Sequence, residues 1–559
     1  MRWFRRLLSK AASYTQPPHN RKADKRRLDP QAVTPQLDIS ELLIELVRKE
    51  KRRDSRKETK SKKSKDPHLS TMPIQNVIIS GAGPSGLLLA LLLAQHPSAS
   101  PIDITLFDAG HGLDPRPRAA YYGPAAVAVL ARAGGLLADI RARGFDPTWM
   151  TWKKLWDEGR HARVGEGAEL LGRIDLDSGE DRTACLALDG LGRLLVEHLE
   201  RVGRERGNVK IRWGARVTGV GEEGGKAWAD VEFDGEGEGM GEEKGRKERF
   251  RADYVVGCDG ASSAVRRQLF GEKGFPGRTW DEQIVAANAL LESLHGKEGR
   301  YHKLKRDEHE TPLLTPPPDQ VYYDFTKWGY TDIQFFIHPE HWHMVARLAG
   351  PPTEYWRVSY GERSGLTHEE LLERQPAKFA AMLPGHAQPG DYDLVGFSPY
   401  RVHQRLAPSM RVGKIMLAAD AAHLCNPFGG LGLTGGIVDV GGLYDCLAGI
   451  HDGRADESIL DVYSDVRRAK WTDIIDVVSS ENIRRLFGQD PERAAETDEF
   501  IKLINVAEKD EKVRDEMRAY DFKQHYRDAG SSSAADNGAV KGSVGEVAGG
   551  GVGVVAAST

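Results

Sequence analysis

Gly81-Ala82-Gly83-Pro84-Ser85-Gly86 has the spacing G-x-G-x-x-G. It follows a short apolar strand, Asn76 to Ile79, and opens an apolar helix that runs through Gln95. A second strand, Asp103 to Phe107, ends at Asp108. In such a strand–turn–helix–strand unit each glycine has a task. Gly81 permits the tight turn, Gly83 lets backbone approach a pyrophosphate, and Gly86 lets the helix pack closely on the strand. Phosphates would lie at the helix N-terminus beside Ser85, where unpaired N–H groups and the helix dipole favour negative charge. Asp108 lies about 20 residues on, where a carboxylate can accept from ribose hydroxyls. The chemistry indicated is binding of an adenine dinucleotide, without saying which one.

Two later stretches carry similar residue types. Tyr254 to Gly257 is a buried strand, followed by Cys258-Asp259-Gly260-Ala261 and, further on, Arg266. Taken alone, Asp259-Gly260 is a turn and Arg266 a surface helix residue. Ile415 to Ala419 reads as a strand that delivers Asp420 to its C-terminal end, where ligands bind in α/β sheets. Beyond it, Gly429, Gly430 and Gly432 keep the backbone bare, and a helix opens from Gly429 through Leu433. Gly430 to Gly435 also spells G-x-G-x-x-G. A polar loop with Asn426-Pro427 precedes it rather than a strand, so it is not a second dinucleotide fold.

The elements that must position these residues follow from periodicity. Helices and strands alternate to about Leu199. Val209 to Val220 and Ala227 to Phe233 look like strands, and the Gly/Glu-rich stretch Asp234 to Lys247 reads as a solvated loop in a hairpin. From about Phe275 to Gln388 the texture changes. Tyr322 to Phe325, Ile333 to Ile337 and His343 to Leu348 look like sheet with interleaved aromatics, and Leu371 to Met382 looks helical. Val462 to Phe487 and Phe500 to His525 read as amphipathic helices.

Taken together, the three glycine-bearing stretches resemble the motifs of single-component FAD-dependent aromatic hydroxylases, over about residues 73 to 450. Asp259-Gly260 is similar to that family's DG motif, which supports FAD and the visiting nicotinamide cofactor. Asp420, in Leu417 to Gly436, is similar to the GD motif, whose Asp binds the ribityl part of FAD. The resemblance implies an α/β fold. A Rossmann-like FAD-binding domain (73–274 and 396–450) would carry an inserted, mostly antiparallel β-sheet substrate domain (275–395) and a C-terminal helical region (451–528). It implies that NADPH or NADH reduces FAD and that one atom of O2 enters an electron-rich carbon of a small aromatic substrate. Arg118 matches an arginine near the FAD phosphates and ring. Arg401, near His403, matches a position that would meet nicotinamide phosphates. Pro427 and Gly430 would lie near the flavin ring, with Gly432 and Leu433 at the helix start facing its pyrimidine edge. His423 matches a histidine expected to be mainly structural. Tyr121, Tyr122, Tyr322, Tyr323, His338 and Trp342 are candidates for a substrate pocket. The general base is not identifiable from sequence.

This chain departs from the family's pattern at Ala419, Asn426, Leu431, Thr434 and Leu188. Residues from Tyr322 to Val440 look most like the secondary-metabolism branch, which suggests a phenolic or polyketide intermediate. Epoxidation, oxidative decarboxylation or a non-catalytic flavin-binding role on the same scaffold stay open. A halogenase is disfavoured because Trp149-Met150-Thr151-Trp152 has the wrong spacing for W-x-W-x-I-P. A two-dinucleotide Baeyer–Villiger enzyme is disfavoured because a second Rossmann unit is missing.

The bulk numbers fit this reading. The 559 residues carry a net charge of -4, which points away from nucleic acid. Residues 1–72 hold 20 Lys and Arg against 9 Asp and Glu, and are expected to be a basic, disordered extension. A Gly/Ser/Ala/Val tail, 529–559, is expected to be disordered too. Four cysteines, Cys185, Cys258, Cys425 and Cys446, are too scattered for a disulfide framework or a zinc site. A cytoplasmic location is expected, with a mitochondrial one as the alternative given the basic N-terminus. No stretch is expected to span a membrane, and a homodimer is one assembly open to the chain.

Overall fold

The computed structural model describes residues 73–115, 120–155, 168–177, 179, 181–235, 245–291, 325–349 and 355–517. Arg118, Tyr322, Tyr323, the basic extension, the C-terminal tail and the centre of the Gly/Glu-rich loop lie outside them.

A six-stranded sheet carries the glycine motifs. Its order is Arg411–Val412, Ile415–Leu417, Tyr254–Gly257, Asn76–Ser80, Asp103–Phe107, Val209–Arg212. All neighbours are parallel except the first pair. Helices Pro84–Ala94, Leu188–Arg206 and Leu431–His451 belong to the same core, and the central strands are accordingly apolar on both faces. Ile79, Val255 and Val256 are fully buried. Asn76–Ser80 sits mid-sheet, and the chain proceeds first to one side of it and later to the other. The crevice beyond its C-terminal end is therefore the switch point at which ligands bind in such sheets.

The strand expected from Val209 to Val220 is broken. Gly214, with φ +63°, turns the chain. Val209–Arg212 closes the parallel sheet, while Ala215–Glu223 starts a three-stranded antiparallel sheet with Lys226–Phe233 and Lys247–Ala252. Only glycine takes up such a backbone readily, so the break was written in the sequence at Gly214.

A second sheet of eight strands runs His423–Leu424, Tyr392–Leu406, Gly277–Leu291, Tyr355–Arg363, His343–Ala349, Ile333–Ile337, Trp149–Lys154, Leu170–Asp175. It is mostly antiparallel, as expected, with one parallel pair between Ile333–Ile337 and Trp149–Lys154. Its boundaries differ from the sequence division. Two strands come from the 73–274 segment, and Tyr392–Leu406 runs across position 395. Local alternation marks a strand but not the sheet it joins, which depends on distant pairing. Phe325, expected in a strand, is buried and instead begins a 3-10 turn, Phe325–Trp328.

The two faces of this sheet bury different clusters. Phe336, Val345, Trp356, Val358 and Tyr360 pack with Leu371 and Phe379 of the helix His368–Met382. Trp152, Ile333, Phe335 and Ile337 pack on the other side with Phe428, Ile483, Leu486 and Ile504. The helix expected over Val462 to Phe487 comprises Ile459–Lys470, a π-helical turn Trp471–Ile475 and Asp476–Phe487. Leu431–His451 is long and apolar enough to cross a bilayer, yet 83% of its apolar 18-residue window is buried within the fold. It is a core helix.

The sheet and its first helix meet with no spare room. A Cβ on Gly86 would lie 2.0 Å from the Gly81 carbonyl oxygen. Gly86→Ala is expected to destabilise the protein by about 1–3 kcal/mol through overpacking, measured as a lower urea midpoint with unchanged m-value.

Candidate cofactor and active site

Gly81 has φ +102°, and a Cβ there would meet the Cys258 carbonyl oxygen at 2.4 Å and Asp259 Cα at 2.9 Å. The first and second motifs thus touch backbone to backbone. The third joins them through Ala418 N–H, which donates to the Gly257 carbonyl (3.0 Å). Arg266 ties the last two together. Its guanidinium donates to the carbonyls of Ala261 (2.8 Å) and Ala421 (3.0 Å) and lies 3.7 Å over the Phe275 ring. Arg266 is only 5% exposed, which corrects its reading as a surface residue. Gly436 completes the convergence, since a Cβ there would lie 2.7 Å from Ala419 Cβ and 3.6 Å from Ser85 Oγ.

Around this junction some places are left bare. A Cβ on Gly83 or on Gly430 would meet nothing within 4 Å. Each is the N-cap of a helix, Pro84–Ala94 and Leu431–His451. Neither helix has a side-chain cap or an acidic residue in its first turn. Helix starts leave N–H groups without intrahelical partners, so both present donors and positive dipole ends to open space. Pro427 and Gly429 are half-buried and Gly430 is exposed in the loop between them and the sheet. Gly432 rests 3.6 Å, at its Cβ position, from Cys425 Sγ, and Leu433 packs on the core.

Asp108 stands half-buried at the end of its strand. Its oxygens accept from Ala82 N–H and Gly110 N–H, both at 2.7 Å. Each carboxylate oxygen has a second lone pair, so it retains capacity for a ribose hydroxyl. Asp259 spends one oxygen on the N–H groups of Ala264 (2.7 Å) and Val265 (3.1 Å), capping that helix, while its other oxygen is buried without a protein partner. Asp420 is exposed, in the turn Ala419–Ala421 at the strand end. The arrangement fits an extended dinucleotide: bare backbone and a helix start for the phosphates, carboxylates near two sugar-like segments, and a second helix start beside a glycine loop for a flat ring.

The apolar wall next to that loop includes Phe428, which is buried against Trp342 (5.3 Å) and Phe335 (6.5 Å). Of the aromatic candidates, Trp342 therefore belongs to this wall. Tyr121 lies at its margin, its hydroxyl donating to the carbonyls of Asp332 (3.0 Å) and Arg347. Burial first, then Cys185 and Asp332, pushes its pKa far above the usual phenol value, so it is a fixed donor and not a proton acceptor. Tyr122 is spent in the core, donating to the Leu186 carbonyl at 2.7 Å. His338 caps a turn, accepting from Glu340 and His341 N–H. Phe428 and the ion pair of buried Asp332 with half-buried Arg347 were missed from sequence.

Arg401, His403 and Arg405 alternate along Tyr392–Leu406 and so share one face. Arg401 is exposed. His403 Nδ1 is 2.9 Å from Thr279 Oγ1, and Arg405 donates to Thr279 Oγ1 (3.2 Å) and to the Phe275 carbonyl (2.8 Å). Partial burial, with Arg405 and Arg401 nearby, lowers the His403 pKa. The face is a basic stripe leading toward Arg266.

Comparison with known proteins agrees with this geometry. The family described as FAD binding domain matches residues 75–478. Para-nitrophenol 4-monooxygenase of a Pseudomonas species is 32% identical over 434 residues, covering 77% of this chain and 91% of that protein. The 6-hydroxy-3-succinoylpyridine 3-monooxygenase of Pseudomonas putida is 30% identical over 450 residues, covering 79% and 97%. A crystal structure of p-nitrophenol 4-monooxygenase from Pseudomonas putida superimposes with a TM-score of 0.65 at 30% identity, over 81% of this chain and 99% of that one.

The open space at Gly83 gives a clean test. A Cβ there meets no atom within 4 Å, and an aspartate suits a helix N-cap and places negative charge where the phosphates would lie. Gly83→Asp is expected to keep its circular dichroism and melting behaviour as apoprotein but to lose FAD, read from the flavin absorbance retained after desalting.

Proposed function

Because the chain belongs to the FAD-binding-domain family of flavoprotein monooxygenases, we propose that it hydroxylates a phenolic or polyketide-type ring with NAD(P)H and O2. The observation that carries this is the convergence of the three motifs on two uncapped helix starts, at Gly83 and Gly430. FAD, once reduced by NAD(P)H, supplies the oxygen activation. The chain's own residues hold and shield. N–H groups at the start of Pro84–Ala94 would hold the phosphates, and those at the start of Leu431–His451 would stabilise negative charge on the bound ring. Asp108 and Asp420 accept from sugar and ribityl hydroxyls. The wall of Phe428, Trp342 and Phe335 keeps water from the reaction space.

The two relatives described above are named for substrates with a nitrophenol or a hydroxypyridine ring. This chain spans nearly their full length, which supports a hydroxyl-bearing six-membered aromatic ring as substrate. The Arg401–His403–Arg405 stripe supports a docking surface for the nicotinamide cofactor's phosphates, since clustered guanidinium groups suit phosphate oxygens.

The purified protein is expected to be yellow, and its NADPH or NADH oxidation to accelerate when a phenol such as p-nitrophenol is added. A colourless preparation that takes up no added FAD would end this reading. A yellow one indifferent to every phenol tried would favour a non-catalytic flavoprotein. Arg401→Glu is expected to raise the KM for the nicotinamide cofactor by about tenfold or more, because it puts like charge against phosphate. FAD content and the KM for the phenol should not change.

A further inference from the structure

Two non-glycine residues among those described adopt a left-handed backbone, His386 and Ala419. His386 ends the short 3-10 turn Pro384–His386 at an exposed site. Ala419, with φ +56°, is 8% exposed and immediately precedes Asp420. A Cβ makes this conformation unfavourable, and such strain persists where the surroundings over-determine it. The surroundings here are specific. Ala419 N–H donates to Asp439 Oδ2 at 3.0 Å, and the same oxygen is 2.6 Å from His423 Nε2. Oδ1 accepts from Arg467 Nε at 2.6 Å. Asp439 is 0% exposed, Arg467 and His423 2%.

We propose that Asp439 is a positioning residue for cofactor binding. Its carboxylate holds Ala419 left-handed through the Ala419 N–H, and so sets where Asp420 points. The proposal rests on the flavoprotein reading above. Asp439 sits on Leu431–His451, the helix that starts at Gly430 and would present its N–H groups to a bound flavin, so one buried carboxylate couples that helix to the Asp420 turn. Burial pushes the Asp439 carboxyl up, but His423 and Arg467 outweigh it and hold it at about 2. The hydrogen bond is therefore made by an ionised acceptor, the stronger kind. The turn has further anchors on either side. Tyr463 OH donates to the Leu417 carbonyl at 2.9 Å, and Arg266 to the Ala421 carbonyl. Within the turn the Ala422 N–H donates to the Ala419 carbonyl at 2.8 Å, which leaves the Ala419 N–H to Asp439.

The test is a rescue. Asp439→Asn in the full chain is expected to weaken FAD binding by about tenfold or more, followed by quenching of flavin fluorescence on titration into apoprotein. Adding Ala419→Gly should restore most of the affinity, because glycine adopts this backbone unaided. The lowered melting temperature of Asp439→Asn should persist in the double variant, since the buried Arg467 stays under-compensated. Asp439→Asn with parental FAD affinity overturns the proposal, as does a loss that Ala419→Gly does not repair. If Asp439→Asn alone is insoluble, Asp439→Glu decides instead, since it keeps a carboxylate for Arg467 but displaces the acceptor from the Ala419 N–H: weakened FAD binding that Ala419→Gly restores supports the proposal, and parental affinity overturns it. A parental protein that takes up no FAD defeats the flavoprotein reading instead, so the two failures are told apart.

Discussion

The structure depends on backbone meeting backbone where no side chain fits. At Gly81 and Gly86 the strand, the helix and the Cys258–Asp259 loop approach to distances that any Cβ would prevent. That approach brings the parallel sheet's two halves together at the switch point and puts a helix start over the gap. The same device recurs at Gly436, which seats the long core helix against Ala419. Bare backbone at Gly83 and Gly430 is different in kind. There the missing side chain leaves room for a ligand rather than for the protein itself.

Around this junction the burden is divided by chemistry. The parallel layer offers polar groups: uncapped helix starts, Asp108 and Asp420. The eight-stranded sheet offers a dry aromatic wall through Phe335 and Trp342, joined to the glycine loop by Phe428. A wet edge and a dry face therefore meet at one loop. A reaction that needs a charged cofactor and an excluded solvent requires both.

Much of this was legible. The glycine spacing, Asp108 and the apolar strands around them are local patterns, and local patterns survive in one dimension. Leu431–His451 was readable as a helix opening at the glycine loop. What escaped was non-local. Nothing near Trp149 indicates that its strand pairs with Ile333–Ile337, and Gly214 was read through rather than read as a break. Arg266 looked like a surface cation because its partners, Ala261 and Ala421, are carbonyls contributed by separate segments. Asp439 was the most readable omission. A lone carboxylate in the apolar run Leu431 to Leu443 must be buried with compensation, which is a signal for Arg467 and His423.

The parallel pairing of Trp149–Lys154 with Ile333–Ile337 has a consequence for how the protein can be taken apart. Strands from two separated stretches, 149–175 and 277–424, join in the aromatic layer, so that layer is stitched into the chain and not strung along it. No single cut releases it, and grafting it from a relative would require moving several separated pieces at once. Changes in substrate preference among such proteins should accordingly accumulate residue by residue on a retained frame, since wholesale exchange of the layer is barred by its own connectivity.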